Sequence, residues 1–406
     1  MLCTPPISAR IENLPFKPQR LRRQGCESGC GDSFGVMTEP RADHRALKVA
    51  FLFIGMPVGG AEDFALGVYP HLAPEVDARF VCLRELGMLG EEALAAGWPV
   101  ELMPLFPKKR MSPLAVWKFS LWLKREGIDV VHSQTYHAHL FGVAAGRLAG
   151  IPAIVHQQKT LGEMPLRKRV LFQLCLRGAK KTLTLSAQTR AEISSRFSIP
   201  SNLVEVVPNA IDDDLFRPTG DKRVIRKNLG LPENEILFGT VASLHPVKNH
   251  KATIEALAIL RRRGLRPKAV FVGDGVARKE LENFALEQGV GEQIVFAGRQ
   301  RPSVPWFQAL DFFVLPSFWE GQALALLQAI SCRLPVIVSR IEGNTAVLGE
   351  NHAGYFEPND STKLAELIAS ATTDATGRDA FLARNAAIPT CRDAARQLKR
   401  IYSDIA

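Results

Sequence analysis

From Leu47 onward, short apolar runs alternate with segments of helical periodicity, and the whole pattern restarts once near Ile236. Strands are expected at 47–54, 78–83, 100–103, 130–132, 153–156 and 182–185, with helices near 61–70, 113–126, 138–149, 166–178 and 188–197. The second set has strands at 236–241, 269–272, 294–296, 312–315 and 336–338, and helices near 249–262, 277–288, 304–309, 322–332 and 362–372. Such alternation builds a parallel, doubly wound α/β sheet, because each crossover between parallel strands lays a helix on a sheet face. Two consecutive sets imply two Rossmann-like domains facing a cleft, and 406 residues are enough for two cores. The chain divides into residues 1–44, a first domain 45–215, a second domain 216–390 and a last amphipathic helix 391–406, expected to cross back onto the first domain. The junction falls between Asp212 and Asp221, where Arg217-Pro218-Thr219-Gly220 carries turn chemistry.

Residues 1–44 are rich in Arg, Pro, Gly and Ser and show neither period, so they bury too little surface to order themselves. They read as a disordered extension or a misplaced start, with Met37 as the alternative first residue, and they lack the apolar core of a secretory signal. Seven cysteines include no Cys-x-x-Cys pair, which argues against a zinc or redox motif; the odd count argues against a secreted disulfide framework, so a cytoplasmic location is expected. No stretch approaches the roughly 18 apolar residues of a membrane span.

The formal net charge is +10, and much of it sits beside apolar residues, at Lys108-Lys109-Arg110 and across 167–181. The second cluster has the pattern of a basic amphipathic helix, which can lie on an anionic membrane surface. The plainer alternative is a solvated helix face packed on a sheet. A nucleic-acid partner has only the net charge behind it and is not expected.

The chemistry concentrates where strands end. Phe312–Leu315 runs into Pro316-Ser317-Phe318-Trp319-Glu320-Gly321, and a helical pattern follows. Glu320 therefore sits at a strand-to-helix turn, the place where open α/β sheets bind ligands. The amides of Gly321, Gln322 and Ala323 are expected to point out of the helix's first turn, an electropositive end that favours phosphate. A carboxylate beside them accepts hydrogen bonds from sugar hydroxyls, so the pairing points to a phosphorylated sugar. Gly59-Gly60-Ala61-Glu62 opens a helix after the first strand, but the Gly-x-Gly-x-x-Gly fingerprint is absent and no nicotinamide cofactor is expected. Lys248 follows the first strand of the second domain, Gly273 and Gly298-Arg299 follow the next two, and Val131-His132-Ser133-Gln134 ends a strand of the first. Asp212-Asp213-Asp214 reads as turn and capping chemistry, and no metal site is expected.

These motifs, together with Val207-Pro208-Asn209-Ala210-Ile211-Asp212, resemble the retaining glycosyltransferases of family 4, which have the two-domain GT-B fold. The resemblance covers roughly residues 46–375. It implies transfer of a sugar from a nucleoside diphosphate sugar to an acceptor hydroxyl, with retention and without a metal or other cofactor. Glu320, Lys248 and His132 are the implied catalytic set: Lys248 neutralises the leaving diphosphate, Glu320 orients sugar hydroxyls and His132 contacts the sugar. The implied donor-binding positions are Gly59, Gly60, Ser243, Gly273, Gly298, Arg299, Gly321, Gln322, Ala323 and Gln328. The family's arginine falls on Ser243, its second glutamate on Gln328, one glycine on Ala323 and a small residue on Arg333. The basic first domain points to a lipid-linked acceptor at the inner face of the cytoplasmic membrane, as in lipopolysaccharide or exopolysaccharide assembly. Two rivals stay open: a non-catalytic protein of the same fold that binds a nucleotide sugar or a partner enzyme, and a sugar-nucleotide epimerase.

Overall fold

The first apolar set forms β1 (Leu47–Phe53), α1 (Gly60–Val68), β2 (Val76–Cys82), α2 (Gly87–Ala95), β3 (Val100–Leu102), α3 (Pro113–Glu126), β4 (Val130–Ser133), α4 (Tyr136–Ala149), β5 (Ala153–Gln157), α5 (Leu166–Gly178), β6 (Lys181–Thr184), α6 (Ala187–Phe197) and β7 (Val204–Val206). The structure, a computed structural model, describes residues 45–106, 111–158, 164–218, 220–384 and 386–406. The expectations for residues 1–44 and for Lys108-Lys109-Arg110 lie outside them. All strand pairs are parallel, in the order β3-β2-β1-β4-β5-β6-β7. β1 is apolar throughout its centre because it is covered on both faces, and Val49 to Phe53 are wholly buried. One face packs on α1 and α2, the other on α3 to α6.

The second set forms α7 (Lys222–Leu229), β8 (Leu237–Val241), α8 (His250–Arg262), β9 (Lys268–Val272), α9 (Arg278–Glu287), β10 (Ile294–Gly298), α10 (Val304–Ala309), β11 (Phe312–Leu315), α11 (Leu324–Ser331), β12 (Val336–Ser339), α12 (Glu342–Leu348), β13 (Tyr355–Phe356), α13 (Ser361–Thr373) and α14 (Ala375–Ala380). Its six parallel strands run β10-β9-β8-β11-β12-β13. In each sheet the strand order reverses beside the first strand, between β1 and β4 and between β8 and β11. Those switch points open crevices at the strands' carboxyl ends.

A last helix, α15 (Cys391–Ile405), opens on a capping box in which the Thr390 hydroxyl accepts from the Asp393 amide at 3.2 Å. It buries Cys391, Ala394, Ala395, Leu398, Ile401, Tyr402 and Ile405, a helical stripe, in the core shared by β1 and α1. The chain thus returns to the first domain after completing the second.

α2, α7, α12, α14, β7 and β13 are elements that the sequence pattern does not announce, since they are short and half of α7 is charged. α11 begins at Leu324 rather than 322, because Gln322 lies in a bend and Ala323, the N-cap, is extended. One glycine earns its place by sterics: Gly273 has φ 151°, and a Cβ there would stand 1.9 Å from the Ala242 carbonyl oxygen. That contact seats the loop after β8 against the end of β9.

Candidate active site

Lys248 and Glu320 come from the two strand ends that flank the second switch point. Lys248 closes a single 3-10 turn, Pro246–Lys248, after β8. Asn249 follows in the left-handed conformation, φ 52°, and its side-chain Nδ2 donates to the carbonyls of Pro316 at 3.1 Å and Pro358 at 2.8 Å. The Phe318 amide donates to the Val247 carbonyl at 2.9 Å, so the loops after β8 and β11 are bonded to each other. Lys248 Nζ then reaches Glu320 Oε1 at 2.6 Å and Oε2 at 2.7 Å, while Ser317 Oγ donates to Oε1 at 2.7 Å. The Glu320 side chain is 8% exposed and that of Lys248 22%. Gly343 lets the strand-helix turn pass closely, since a Cβ there would lie 2.4 Å from the Glu320 carbonyl oxygen.

The structure places the other expected donor positions as follows. Gln322 is turned to the interdomain linker: its Oε1 accepts from the Asn209 amide at 2.6 Å, and Asn209 Nδ2 donates to its carbonyl at 2.9 Å. The amides expected at Gly321 to Ala323 precede the helix, whose first residue is Leu324. Ser243 and Arg299 are exposed on the loops after β8 and β10. The Gly273 amide donates to the Gly298 carbonyl at 2.8 Å, which joins the ends of β9 and β10. Gln328, on α11, lines a cleft with Leu324, Arg301, Asp63 and Asp212.

Across the crevice, Gly59 caps α1 with extended backbone, φ −169°, so a left-handed turn is not why glycine stands there. A Cβ at Gly59 would meet Glu62 Oε2 at 2.6 Å, whereas one at Gly60 would meet nothing within 4 Å. Gly60 therefore leaves open space at the amino end of α1.

His132 does not join this group. It is wholly buried, stacked on Phe51 with ring centroids 4.7 Å apart. Its Nδ1 lies 2.6 Å from the Tyr402 hydroxyl on α15, and its Nε2 lies 3.1 Å from His156 Nδ1. Burial, then the neighbouring His156 and His139, hold its pKa well below the usual 6.5. Strand alternation explains the placement: at His132 the side chain points into the layer under α1 and α15 rather than out of the strand end. Gln134, two residues on, stands at that end. Its side-chain amide is buried, and neither Nε2 nor Oε1 has a hydrogen-bond partner among the described residues. A buried orphan amide beside a switch point is where a ligand hydroxyl gains most. In the sequence Gln134 is visible only as the last residue of the strand-end run Val131-His132-Ser133-Gln134, where the histidine draws the attention.

Asp212 Oδ1 accepts from the amides of Asp214 at 3.1 Å and Leu215 at 3.2 Å, which is turn chemistry.

Two family profiles match the chain along its two halves: one described as Glycosyltransferase Family 4 over residues 58–215, the other as Glycosyl transferases group 1 over residues 221–387. A galactosyltransferase of Escherichia coli, UDP-Gal:alpha-D-GlcNAc-diphosphoundecaprenol alpha-1,3-galactosyltransferase, is 31% identical over 82% of this chain and 90% of its own. The chain belongs to the family 4 retaining glycosyltransferases. The same two-domain GT-B fold is found in HepE of Anabaena, solved with UDP and glucose, at a TM-score of 0.76 and 22% identity over 88% of this chain and 99% of that one. It is found too in WaaG, a glycosyltransferase involved in lipopolysaccharide biosynthesis, at a TM-score of 0.63 and 19% identity over 88% and 99%. In this family 4 enzyme Lys248 and Glu320 lie at the ends of β8 and β11 of the second domain, and Gly60 begins α1 of the first.

Proposed function

We propose that this glycosyltransferase moves a hexosyl group from a UDP-sugar to a hydroxyl of a lipid-diphosphate-linked glycan, with retention at the anomeric carbon. The observation that carries the reading is the Lys248–Glu320 pair at the β8/β11 switch point. A diphosphate in that crevice takes the Lys248 ammonium as its counter-charge, so the residues themselves supply the charge that a metal ion would otherwise bring. Released from Lys248, the Glu320 carboxylate accepts from the donor's sugar hydroxyls and holds the ring while positive character grows at its anomeric carbon. Gln328 accepts from a ribose hydroxyl through its amide oxygen. The base lies by Gly298 and Arg299, with Ser243 and Gly273 lining the diphosphate's side. Gly60 leaves room for the acceptor hydroxyl, whose proton passes to the departing phosphate.

The lipid of such an acceptor brings the reaction to a bilayer surface, and the outer face of the α3–α5 layer suits one. α5 exposes Leu166, Val170, Leu171 and Leu174 beside Arg167, Lys168 and Arg169. α3 exposes Leu114, Trp117 and Leu121 beside Lys118 and Lys124. No helix among the described residues is long and apolar enough to cross a membrane. A cationic face with exposed apolar side chains instead lies on an anionic surface, here the inner leaflet of the cytoplasmic membrane.

Calorimetry with UDP, GDP and their hexose conjugates tests the donor. Binding of one UDP-hexose, with its slow hydrolysis in the wild type and not in Glu320→Ala, is expected. Absence of binding by every nucleotide sugar would sink the reading.

A further inference from the structure

The loop between β10 and α10 sends one side chain across the cleft. Arg301 Nη1 lies 3.0 Å from Asp63 Oδ1, and its Nε lies 3.1 Å from Glu92 Oε2. Asp63 belongs to α1 and Glu92 to α2, so one guanidinium of the second domain holds two helices of the first. All three side chains are between 22% and 31% exposed, so the pairs are partly shielded from water and salt. The guanidinium's fork suits this double grip, since its Nε and Nη protons point in different, fixed directions.

What Asp63 is attached to gives the contact its meaning. The Asp63 amide donates to the Gly59 carbonyl at 2.9 Å, closing the first turn of α1. The Gly59-Gly60 turn, its open space and the Arg301 grip are therefore one rigid piece. On the other side, Arg301 and Gln328 line the same cleft, and Arg301 is three residues beyond Gly298. The loop that carries the nucleoside-side residues is thus the loop that fixes the acceptor-side turn.

We infer that Arg301 is a positioning residue that sets the Gly59-Gly60 turn of the first domain against the donor side of the second. The inference rests on the function proposed above for what happens in the cleft. Its geometry, one cation shared by Asp63 and Glu92, does not. Arg301 is spent on these carboxylates, so it does not replace the positive charge absent at Ser243. Its work is to keep acceptor and donor within reacting distance, where misplacement by about an ångström costs about a hundredfold in rate.

The test uses the full chain in the wild type, Arg301→Ala, the pair Asp63→Asn with Glu92→Gln, and all three changes together. Small-angle scattering reads the spacing of the domains, calorimetry reads UDP affinity, and hexose transfer from the UDP-sugar to a lipid-diphosphate-linked glycan acceptor reads turnover. The altered forms are expected to share a larger radius of gyration and a turnover lowered about 10- to 100-fold. UDP affinity stays at the wild-type value, and the triple form is no worse than Arg301→Ala, because the residues act as one unit. Arg301→Lys, which keeps the charge but loses the fork, falls between. Unchanged scattering and turnover in Arg301→Ala would overturn the inference. So would a loss of UDP affinity of about tenfold in Arg301→Ala that the carboxylate pair does not share, because that would make Arg301 a donor ligand. Failure of UDP to bind the wild type counts against the proposed donor alone, and the scattering comparison still decides the role of Arg301.

Discussion

Lys248 gives its ammonium to both carboxylate oxygens of Glu320, at 2.6 and 2.7 Å, so each residue is the other's counter-ion. A diphosphate that binds here competes with Glu320 for Lys248, and the two residues affect donor binding in opposite directions. Lys248→Ala is expected to weaken UDP by about 1.5–3 kcal/mol, the worth of a hydrogen bond to a charged group. It also lowers stability, since the Glu320 carboxylate is left buried without its partner. Glu320→Gln frees the ammonium, so UDP binds as tightly as to the wild type or more tightly while transfer falls. Calorimetry and turnover on the two variants check this, and equal weakening of UDP by both would make the pair mere scaffolding.

Gln134 offers a sharper separation of function from structure. Its amide is buried with no partner among the described residues, so its removal relieves a cost instead of adding one. Gln134→Ala is expected to leave the melting temperature unchanged or raised and UDP affinity unaltered, while transfer to the acceptor drops about tenfold or more. A melting temperature several degrees lower would show that the amide is held by the fold and has no ligand.

How far the residues reveal their roles depends on how local the cause is. Helices 113–126, 166–178 and 304–309 and the strand 312–315 can be read to the residue, because apolar period, proline and glycine punctuation act within a few positions. The alternating pattern also implies the parallel sheets. Short edge pieces such as Val204–Val206 and Tyr355–Phe356 escape notice, since two or three residues carry no period. His132 against Gln134 is a different failure. A strand buried on both faces has no polar side to mark, so nothing in Val131-His132-Ser133-Gln134 says which side chain enters the core. Arg301 is the extreme case: its partners lie 209 and 238 positions away, and no local signal precedes that meeting.

The buried histidines make stability depend on pH in a definite sense. Burial pushes the imidazoles of His139, His156 and His250 down to about 3, and holds His132 well below 6.5. In the window from about 3 to 6.5 the unfolded chain binds protons at these sites and the native chain does not, so stability is complete above pH 6.5 and is lost as pH falls through that window. Each group contributes about 1.4 kcal/mol per pH unit there. Melting temperatures taken at pH 7.5, 6 and 5 are therefore expected to fall steadily, and His250→Gln is expected to flatten the slope. A melting temperature constant from pH 7.5 to 5 would contradict the native-state neutrality of all four. Tyr402→Phe adds a local check. It deprives His132 Nδ1 of its partner at full burial, for a cost of about 1–3 kcal/mol at neutral pH.

The exposed face of α3 and α5 asks to be tested apart from catalysis. Right-handed crossovers start these helices at the carboxyl ends of the strands, so Leu114 and Leu166, near their first turns, stand at that end of the sheet. In the function proposed above, a bilayer touching that face brings the lipid-linked acceptor to the end of the sheet where the cleft opens. Cosedimentation with vesicles rich in phosphatidylglycerol is expected, with little binding to neutral phosphatidylcholine, because each lysine or arginine near an anionic surface adds about 1 kcal/mol. Raising the salt weakens binding through the same charges. Trp117→Ser with Leu171→Ser removes apolar insertion instead, and each buried side chain is worth about 1.5–3 kcal/mol, so the double variant stays in the supernatant at low salt as well. Both side chains are exposed, 49% and 49%, so the fold is unaffected and UDP binds as before. Binding that persists in the double variant and vanishes with salt would leave charge alone as the cause, and equal binding to neutral vesicles would remove the anionic surface as the partner.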